Sequence, residues 1–450
     1  MVNKGPIEVY AVGGYNEVGK NMTAIKIKND SFIFDCGLYI PPIAELEEKT
    51  NNYTTQQLRR IRAIPDDMWL EQQGIRPSVR AILISHAHLD HVGGVPFLAQ
   101  RYKAPVIGTP FTMKVLDCIQ KDNNIKIPNQ IKSVPPNSSI KIKGDKNYDV
   151  EFIHVTHSTL QCTFVVVHTD VGAVVYANDF KLDNYPVLGQ KSNIERLKEI
   201  VKSEGIKAFI VDSLYSEKYA KTPSEKIARY MLEDLFMTLD NEQSAIFVST
   251  FSSHIARLKS IVDFGKILNR EIIFVGRSLN KYVSAASNIK MAPFIKDIQT
   301  FSYSDKVKKI LRKVNENRKN YLVVCTGHQG EPGSILDRIA KNELPFQFRG
   351  DDHMIFSSSI IPTSINIENR DKLDKKIRKM GTRIFSDIHV SGHACREDLR
   401  EIVKILNPEN VIPAHGAYEQ LLPMTELLKE MGYKQNKDIH LMQDREKVVI

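Results

Sequence analysis

The stretch HAHLDH places His86, His88, Asp90 and His91 on one short run of chain. Imidazole nitrogen and carboxylate oxygen are the donors a catalytic zinc prefers. On a tight turn, residues two apart can aim at one ion while the next pair aims at another. Gly93 and Gly94 follow at once, and glycines let backbone pass close to such a site. Two ions need further donors. His157 in VTHS, Asp179 in NDFK and His415 in PAHG are candidates, each where an apolar strand pattern ends. A carboxylate such as Asp179 suits a bridge between two cations about 3.5–4 Å apart, and such a pair of ions activates water for hydrolysis. Asp35 also ends a strand pattern but has no histidine beside it in sequence. It reads as support that orients a ligand histidine, not as a ligand.

The elements that must position these groups follow from hydrophobic pattern. Alternation and β-branched residues predict strands over residues 7–14, 22–29 and 31–37. Residues 79–94 read as an apolar strand entering the histidine-rich turn, and residues 152–158 and 173–181 repeat that design. The candidates therefore fall at strand C-terminal ends, where an α/β sheet builds its site. Residues 41–74 are mixed and polar and read as a surface excursion with helical pieces. In the middle, residues 224–239 predict an amphipathic helix. Residues 245–253 predict a strand and turn, followed by the helix IARLKSIVDFGKIL. Residues 271–276, 321–331 and 353–359 predict further strands. This alternation reads as a second, parallel α/β domain. Arg257, Lys259 and Lys266 lie on the IARLKSIVDFGKIL helix and read as solvated cations. RIFSDIHVSGH and NVIPAHGAYE then return to the strand-to-histidine pattern.

A chain of 450 residues exceeds one ordinary core and predicts two or three domains. A 42% hydrophobic and 26% charged composition is that of a soluble globular protein. The lack of an apolar run of about 18 residues argues against a transmembrane helix. The opening MVNKGPIEVYAVGG has no long apolar core of a secretory signal. Cys36, Cys118, Cys162, Cys325 and Cys395 are scattered and form no CxxC pair. That speaks against a disulfide framework and for a reducing compartment, here the cytoplasm. The net charge of +9 favours a polyanionic partner such as nucleic acid.

Asp35, HAHLDH, His157 and Asp179 match, in order, the four motifs of the metallo-β-lactamase superfamily, which the sequence resembles. Within it the sequence resembles the β-CASP nucleases: Asp212 in VDSLYS, His393 in HVSGHA and His415 in PAHG match motifs A, B and C. The opening GGYNEVGKNMTA and the loop GHQGEPGS are similar to those of the ribonuclease J family, with His328 in place of that family's usual serine. The archaeal form is expected, because the chain stops soon after PAHG where bacterial members carry a further domain.

The resemblance implies an α/β fold: a metallo-β-lactamase αββα sandwich with an inserted β-CASP α/β domain. The expected bounds are residues 1–216 and 387–450 for the sandwich and 217–386 for the insert. It implies one zinc on His86, His88 and His157, a second on Asp90, His91 and His415, and Asp179 across both. Manganese and magnesium are the alternative ions. It implies a metal-dependent ribonuclease that degrades single-stranded RNA from the 5′ end, preferring a 5′ monophosphate, with internal cutting as a further activity. Metal-activated water would attack phosphorus in line with the leaving 3′ oxygen. His393 would touch the scissile phosphate or assist the leaving group, oriented by Asp212, and Asp90 counts with them as catalytic. His389, Ser391 and the Gly392 amide would form a small anion nest. Ser249, Ser252 and Ser253, with His328 and Gln329, would face the same cleft and suit a terminal phosphate; the plainer role of the serines is capping. The expected partners are RNA, a second copy of the chain and an RNA-degradation complex, with no membrane. Three other readings compete: an endonuclease like the cleavage and polyadenylation factor, a small-molecule metallohydrolase, and a non-catalytic RNA-binding subunit. Archaeal versions of the first usually begin with RNA-binding domains. The inserted domain and motifs A to C count against the second, and the full ligand set counts against the third.

Overall fold

The computed structural model describes residues 6–44, 53–240, 242–361 and 363–450. The amino-terminal stretch MVNKG and residues 45–52 of the polar excursion lie outside them. The chain divides into two compact units. One is Met1–Asn184, Gln190–Thr222 and Gly392–Ile450; the other is Tyr185–Gly189 and Pro223–Ser391.

The first unit is built on two sheets. One is seven-stranded and runs, edge to edge, Glu446–Val449, Ile7–Gly13, Met22–Ile27, Asp30–Phe34, Val79–Ile84, Val106–Gly108 and Ile131–Ser133. Its first four strands are antiparallel neighbours, and Asp30–Phe34 onward is parallel. The other is six-stranded: Val411–Ala414, Ile206–Asp212, Ala173–Ala177, Thr163–Val167, Asn147–His154 and Ser138–Lys143. Here Val411–Ala414, Ile206–Asp212 and Ala173–Ala177 run parallel. The two sheets share one core, in which Ile25, Phe32 and Leu83 meet Phe152, Val165, Tyr176 and Ile210. The opposite face of the second sheet carries Phe164, Phe209 and Val211, and Leu197, Leu399 and Met424 from helices Ile194–Glu204, Arg396–Leu406 and Tyr418–Glu430 cover it. Helix Pro110–Asp122 buries Phe111, Val115 and Leu116 on the first-sheet side. Burying both faces of both sheets gives the αββα sandwich. It also explains why the central strands are apolar throughout rather than alternating.

The excursion is less exposed than its polar composition predicts. Helices Thr55–Arg60 and Asp67–Gln72 bury Leu58 and Leu70, and Ala63 and Ile64 between them are also buried.

The second unit holds one parallel six-stranded sheet, in the order Ile298–Phe301, Glu271–Val275, Tyr321–Cys325, Ile246–Ser249, His353–Phe356 and Arg383–Phe385. Helices Ser304–Glu316, Ile335–Ala340 and Ser364–Lys379 cover one face through Val307, Leu311, Leu336 and Ile377. The reading of Arg257 as a solvated cation is overturned. Arg257 is wholly buried on helix Ile255–Ile267. Its Nε and Nη2 donate to Glu225 at 2.5 and 2.9 Å, and its Nη1 donates to the carbonyls of Ser357 and Ile388 at 2.9 and 3.1 Å. A guanidinium with its donors matched this way survives burial. Lys259 and Lys266 remain partly or fully exposed and pair with Asp263 and Asp297. Among the described residues no helix is long and apolar enough to cross a membrane.

Candidate metal centre

Most of the site residues of the first unit follow the C-terminal end of a strand. Asp35 follows Asp30–Phe34, His86 follows Val79–Ile84, His157 follows Asn147–His154, Asp179 follows Ala173–Ala177 and His415 follows Val411–Ala414. Asp212 closes Ile206–Asp212. His88 caps the single helical turn Leu89–Val92 that carries Asp90 and His91. Close backbone approaches fix this turn. The Gly94 amide donates to the Cys36 carbonyl at 2.8 Å, and a Cβ on Gly37 would fall 1.7 Å from the Asp90 carbonyl oxygen. Only glycine fits at residue 37.

The side chains gather into two overlapping groups. His86, His88, His157 and Asp179 form one; Asp90, His91, Asp179 and His415 form the other. Within each, the possible ligand atoms lie within 4.8 Å of one another. Asp179 divides its two oxygens between them. Its Oδ2 lies 3.5 Å from His86 Nε2 and 3.4 Å from His157 Nε2. Its Oδ1 lies 3.2 Å from His91 Nε2 and 3.5 Å from His415 Nε2.

The hydrogen bonds decide which ring nitrogen points inward. His157 Nδ1 is 2.7 Å from the Gly392 carbonyl, which can only accept. The proton therefore sits on Nδ1, and Nε2 keeps its lone pair. His91 Nδ1 donates to Asp35 Oδ2 at 2.7 Å. Ser85 Oγ donates to Asp35 Oδ2 at 2.8 Å, so it accepts from His86 Nδ1 at 3.0 Å. One carboxylate thus aims a histidine in each group, His91 directly and His86 through Ser85. Tyr176 OH and the Ser85 amide complete the shell of Asp35 at 2.9 and 2.8 Å. This is the arrangement that fixes a ligand imidazole and raises its basicity.

These donors fit metal ions. His86 Nε2 and His157 Nε2 both lie 3.1 Å from His88 Nδ1, so three imidazole nitrogens converge on one point. Burial, then the neighbouring His86, pushes His88 down to about 3. Burial also lowers His86 and His157, which favours the neutral form of the ring that a metal ion takes. Burial works to raise Asp179, but His415, His91 and His393 hold it well below the usual carboxylate range. Its Oδ1 is buried with no hydrogen-bond partner. Burial works to lower His91, but Asp179, Asp90 and Asp35 lift it well above the ordinary value. The positive charge these carboxylates demand is what a divalent cation supplies.

Beside the two groups lies a third feature. His393 Nδ1 is 2.8 Å from Asp212 Oδ2, whose other oxygen accepts the Leu214 amide at 2.9 Å. His393 Nε2 is 4.0 Å from Asp179 Oδ2. Burial works to lower His393, but Asp212 and then Asp179 prevail and lift it to about 9. The Thr222 hydroxyl donates to the His393 carbonyl at 2.7 Å and pins the backbone there. The His393 side chain keeps 19% exposure, enough to meet a substrate.

The other phosphate-binding candidates distribute between the units. Gly392 belongs to the first, where its carbonyl holds His157. His389 and Ser391 belong to the second with Ser249, Ser252, Ser253, His328 and Gln329. There Phe251 stacks edge-on with His328 at 4.4 Å and lies 6.2 Å from His389. Ser252 is half-buried and Ser253 buried on the turn after Ile246–Ser249. The Ser249 hydroxyl is buried and already donates to the Cys325 carbonyl at 2.8 Å. Gln329 spends both ends of its amide on backbone, donating to Ser359 and accepting from Ile361. Ser85, Tyr176, Asn178 and Asn21 are site residues absent from the sequence-derived set. The signals for them were slight: a serine abutting His86, a tyrosine and an asparagine just before Asp179, and an asparagine closing the glycine-rich opening turn.

Three family descriptions match along the chain: the metallo-beta-lactamase superfamily over residues 15–191, the ribonuclease J beta-CASP domain over 243–377, and a Zn-dependent metallo-hydrolase RNA specificity domain over 379–442. Fold and site together define a metal-using hydrolase of the metallo-β-lactamase type with a β-CASP insert. The chain is 37% identical to a ribonuclease J of Methanocaldococcus jannaschii, over 97% of each chain. It is 38% identical to a ribonuclease J of Pyrococcus abyssi, over 97% of this chain and 95% of that one. A ribonuclease J of Helicobacter pylori is 28% identical over 100% of this chain and 61% of its own length. A crystal structure of an Enterococcus faecalis protein of unknown function shares the fold, with a TM-score of 0.65 at 16% identity over 99% of this chain and 100% of that one. The chain belongs to the ribonuclease J family.

Proposed function

We propose that this protein is a metal-dependent ribonuclease that degrades single-stranded RNA from a 5′-monophosphate end, with internal cutting as a secondary activity. The observation that carries this reading is Asp179, whose two oxygens divide between two histidine–aspartate groups beside the His393–Asp212 pair. His86, His88 and His157 would hold one zinc and Asp90, His91 and His415 the other, with Asp179 common to both; manganese or magnesium are the alternative occupants. Such ions lower the pKa of a water toward about 7 and stabilise charge on phosphoryl oxygens. The chain's own residues do the rest. Asp35 and the Gly392 carbonyl orient the ligand rings. Asp212 holds a proton on His393 Nδ1, which leaves Nε2–H to face the scissile phosphate and donate to the leaving 3′ oxygen. His328 and His389 are the second unit's candidates for contact with the 5′ phosphate.

The test is cleavage of 5′-end-labelled, monophosphorylated RNA by the metal-loaded protein and by H86A/D90A. Release of labelled mononucleotide by the wild type alone is expected. Internal fragments without mononucleotide would replace the exonuclease with an endonuclease. No cleavage at all would overturn the enzymatic reading.

A further inference from the structure

The turn from Gly14 to Asn21 joins strands Ile7–Gly13 and Met22–Ile27, and it ends on a side chain only 1% exposed. Asn21 Nδ2 donates to the Asp90 carbonyl at 3.0 Å, and the Asn21 amide donates to the same oxygen at 2.9 Å. A carbonyl can only accept, so the nitrogen of the side-chain amide is fixed on that side and Oδ1 on the other. Oδ1 lies 2.9 Å from His415 Nδ1, which must therefore donate. That turns the ring so that His415 Nε2 faces Asp179 Oδ1 at 3.5 Å. Nδ2 also lies 3.1 Å from His91 Nε2. One amide thus touches the Asp90 backbone and the rings of His91 and His415. Its hydrogen bonds reach none of His86, His88 and His157.

The turn that carries Asn21 is itself latched. Lys20 Nζ sits 2.9 Å from Glu17 and 3.3 Å from Asp444. Glu17 accepts the Gly14 amide at 3.1 Å, and Asp444 accepts the Tyr15 amide at 3.1 Å. The Gly14 carbonyl in turn accepts the His415 amide at 2.7 Å. The opening turn and the PAHG loop are therefore held by each other at the backbone, and Asn21 carries that fixation to the side chains.

We propose that Asn21 is a positioning residue for the second group alone: it sets the ring orientation and tautomer of His415 and the placement of the Asp90–His91 turn. The inference rests on the two-ion reading above. Aspartate cannot replace it, because the atom facing the Asp90 carbonyl would become an oxygen. Alanine removes the side-chain contacts to the Asp90 carbonyl, His91 and His415 and keeps only the backbone bond to Asp90.

The test counts and titrates ions rather than activity. Wild type, N21A and N21D are stripped with chelator and titrated with zinc against a chromophoric chelator, and bound ions are counted by mass spectrometry. Far-UV circular dichroism and urea unfolding of the metal-free proteins check the fold. Wild type is expected to take two ions. In both variants one ion is expected to bind as in wild type and the other about 10–100-fold more weakly. Equal weakening of both ions, or wild-type affinity for both in N21A, overturns the proposal. A wild type that takes fewer than two ions overturns the two-ion reading and the proposal with it, and this control separates the two failures.

Discussion

Asp35→Asn isolates the role of the carboxylate proposed to orient ligand histidines rather than to hold a metal itself. Asp35 receives the Ser85 amide on Oδ1 and His91 Nδ1, Tyr176 OH and Ser85 Oγ on Oδ2. An asparagine must put its NH2 in one of those places. On the Oδ1 side it meets a backbone N–H, donor against donor. On the Oδ2 side Tyr176 can rotate to accept, but His91 must lose the proton from Nδ1 and carry it on Nε2. The Nε2 lone pair that a metal ion beside Asp179 would need is then unavailable. Ser85 Oγ, which links Asp35 to His86 Nδ1 at 3.0 Å, loses its charged acceptor at the same time. A hydrogen bond to a charged group contributes about 1.5–3 kcal/mol. That corresponds to a loss of about 10–150-fold in affinity, overlapping the roughly 10–100-fold that partners of metal-ligating histidines show. Unlike the Asn21 variants, Asp35→Asn is expected to weaken both ions, since it reaches a histidine in each group. Zinc competition titration reads the affinities, and nitrogen-15 NMR of the histidine rings reads the tautomer of His91. Cleavage is expected to recover at excess metal. Unchanged affinity for both ions, or a His91 that keeps its proton on Nδ1, would refute the argument.

Three further outcomes are expected. His393→Ala and Asp212→Asn should each slow RNA cleavage by about 10²–10⁴-fold with full zinc content retained; loss of zinc in either would make the pair structural. Arg257→Met leaves Glu225 buried without its partner and should cost about 3–5 kcal/mol in urea unfolding, with part of the loss recovered when Glu225→Gln is added. Glu151 gives a pH effect. Burial works to raise its carboxyl, but hydrogen bonds from His168 and Arg196 prevail and bring it down to about 2 from an ordinary 4.5. A depressed carboxylate contributes its stability above the unfolded value and loses it as pH falls through the folded one. Acid unfolding should therefore show a component between about pH 4.5 and 2, on the order of 1 kcal/mol after solvent screening, that Glu151→Gln removes.

Residue chemistry made the metal centre legible, and distance along the chain hid its supports. HAHLDH announces itself because four donors on one turn have few uses other than a metal. His157, Asp179 and His415 could be added because each ends an apolar strand, and parallel strands bring their C-terminal ends together. Asn21 and Ser85 carry no such mark, since a buried amide or hydroxyl is ordinary until its partners are known. Arg257 misled for the same reason. Helical periodicity shows that a cation is on a helix, but its neutralising partner, Glu225, is on another helix 32 residues away. Strand Glu446–Val449 was equally unreadable, because it pairs with Ile7–Gly13 from the other end of the chain and is too short to show a pattern.

The backbone records what this site costs the fold. Asp35, Asp179 and His415 all have left-handed φ, at 57°, 59° and 64°. None is glycine, and each such residue costs on the order of 1 kcal/mol or more unless its surroundings over-determine it. Here they do: Asp35 accepts from four donors, His415 is fixed at its amide by Gly14 and at its ring by Asn21, and Asp179 faces four candidate ligand histidines. In each case the chain turns left-handed within two residues of the strand end, which aims a carboxylate or imidazole across it toward its neighbours. A sandwich selected for stability alone has no reason to place three such residues within reach of one another, or to leave Asp179 Oδ1 buried with only histidine rings facing it and no hydrogen bond. Cations held by the two groups would give that oxygen the positive partner it faces. Metal loading is therefore expected to raise the midpoint of thermal unfolding of the first unit along with enabling hydrolysis.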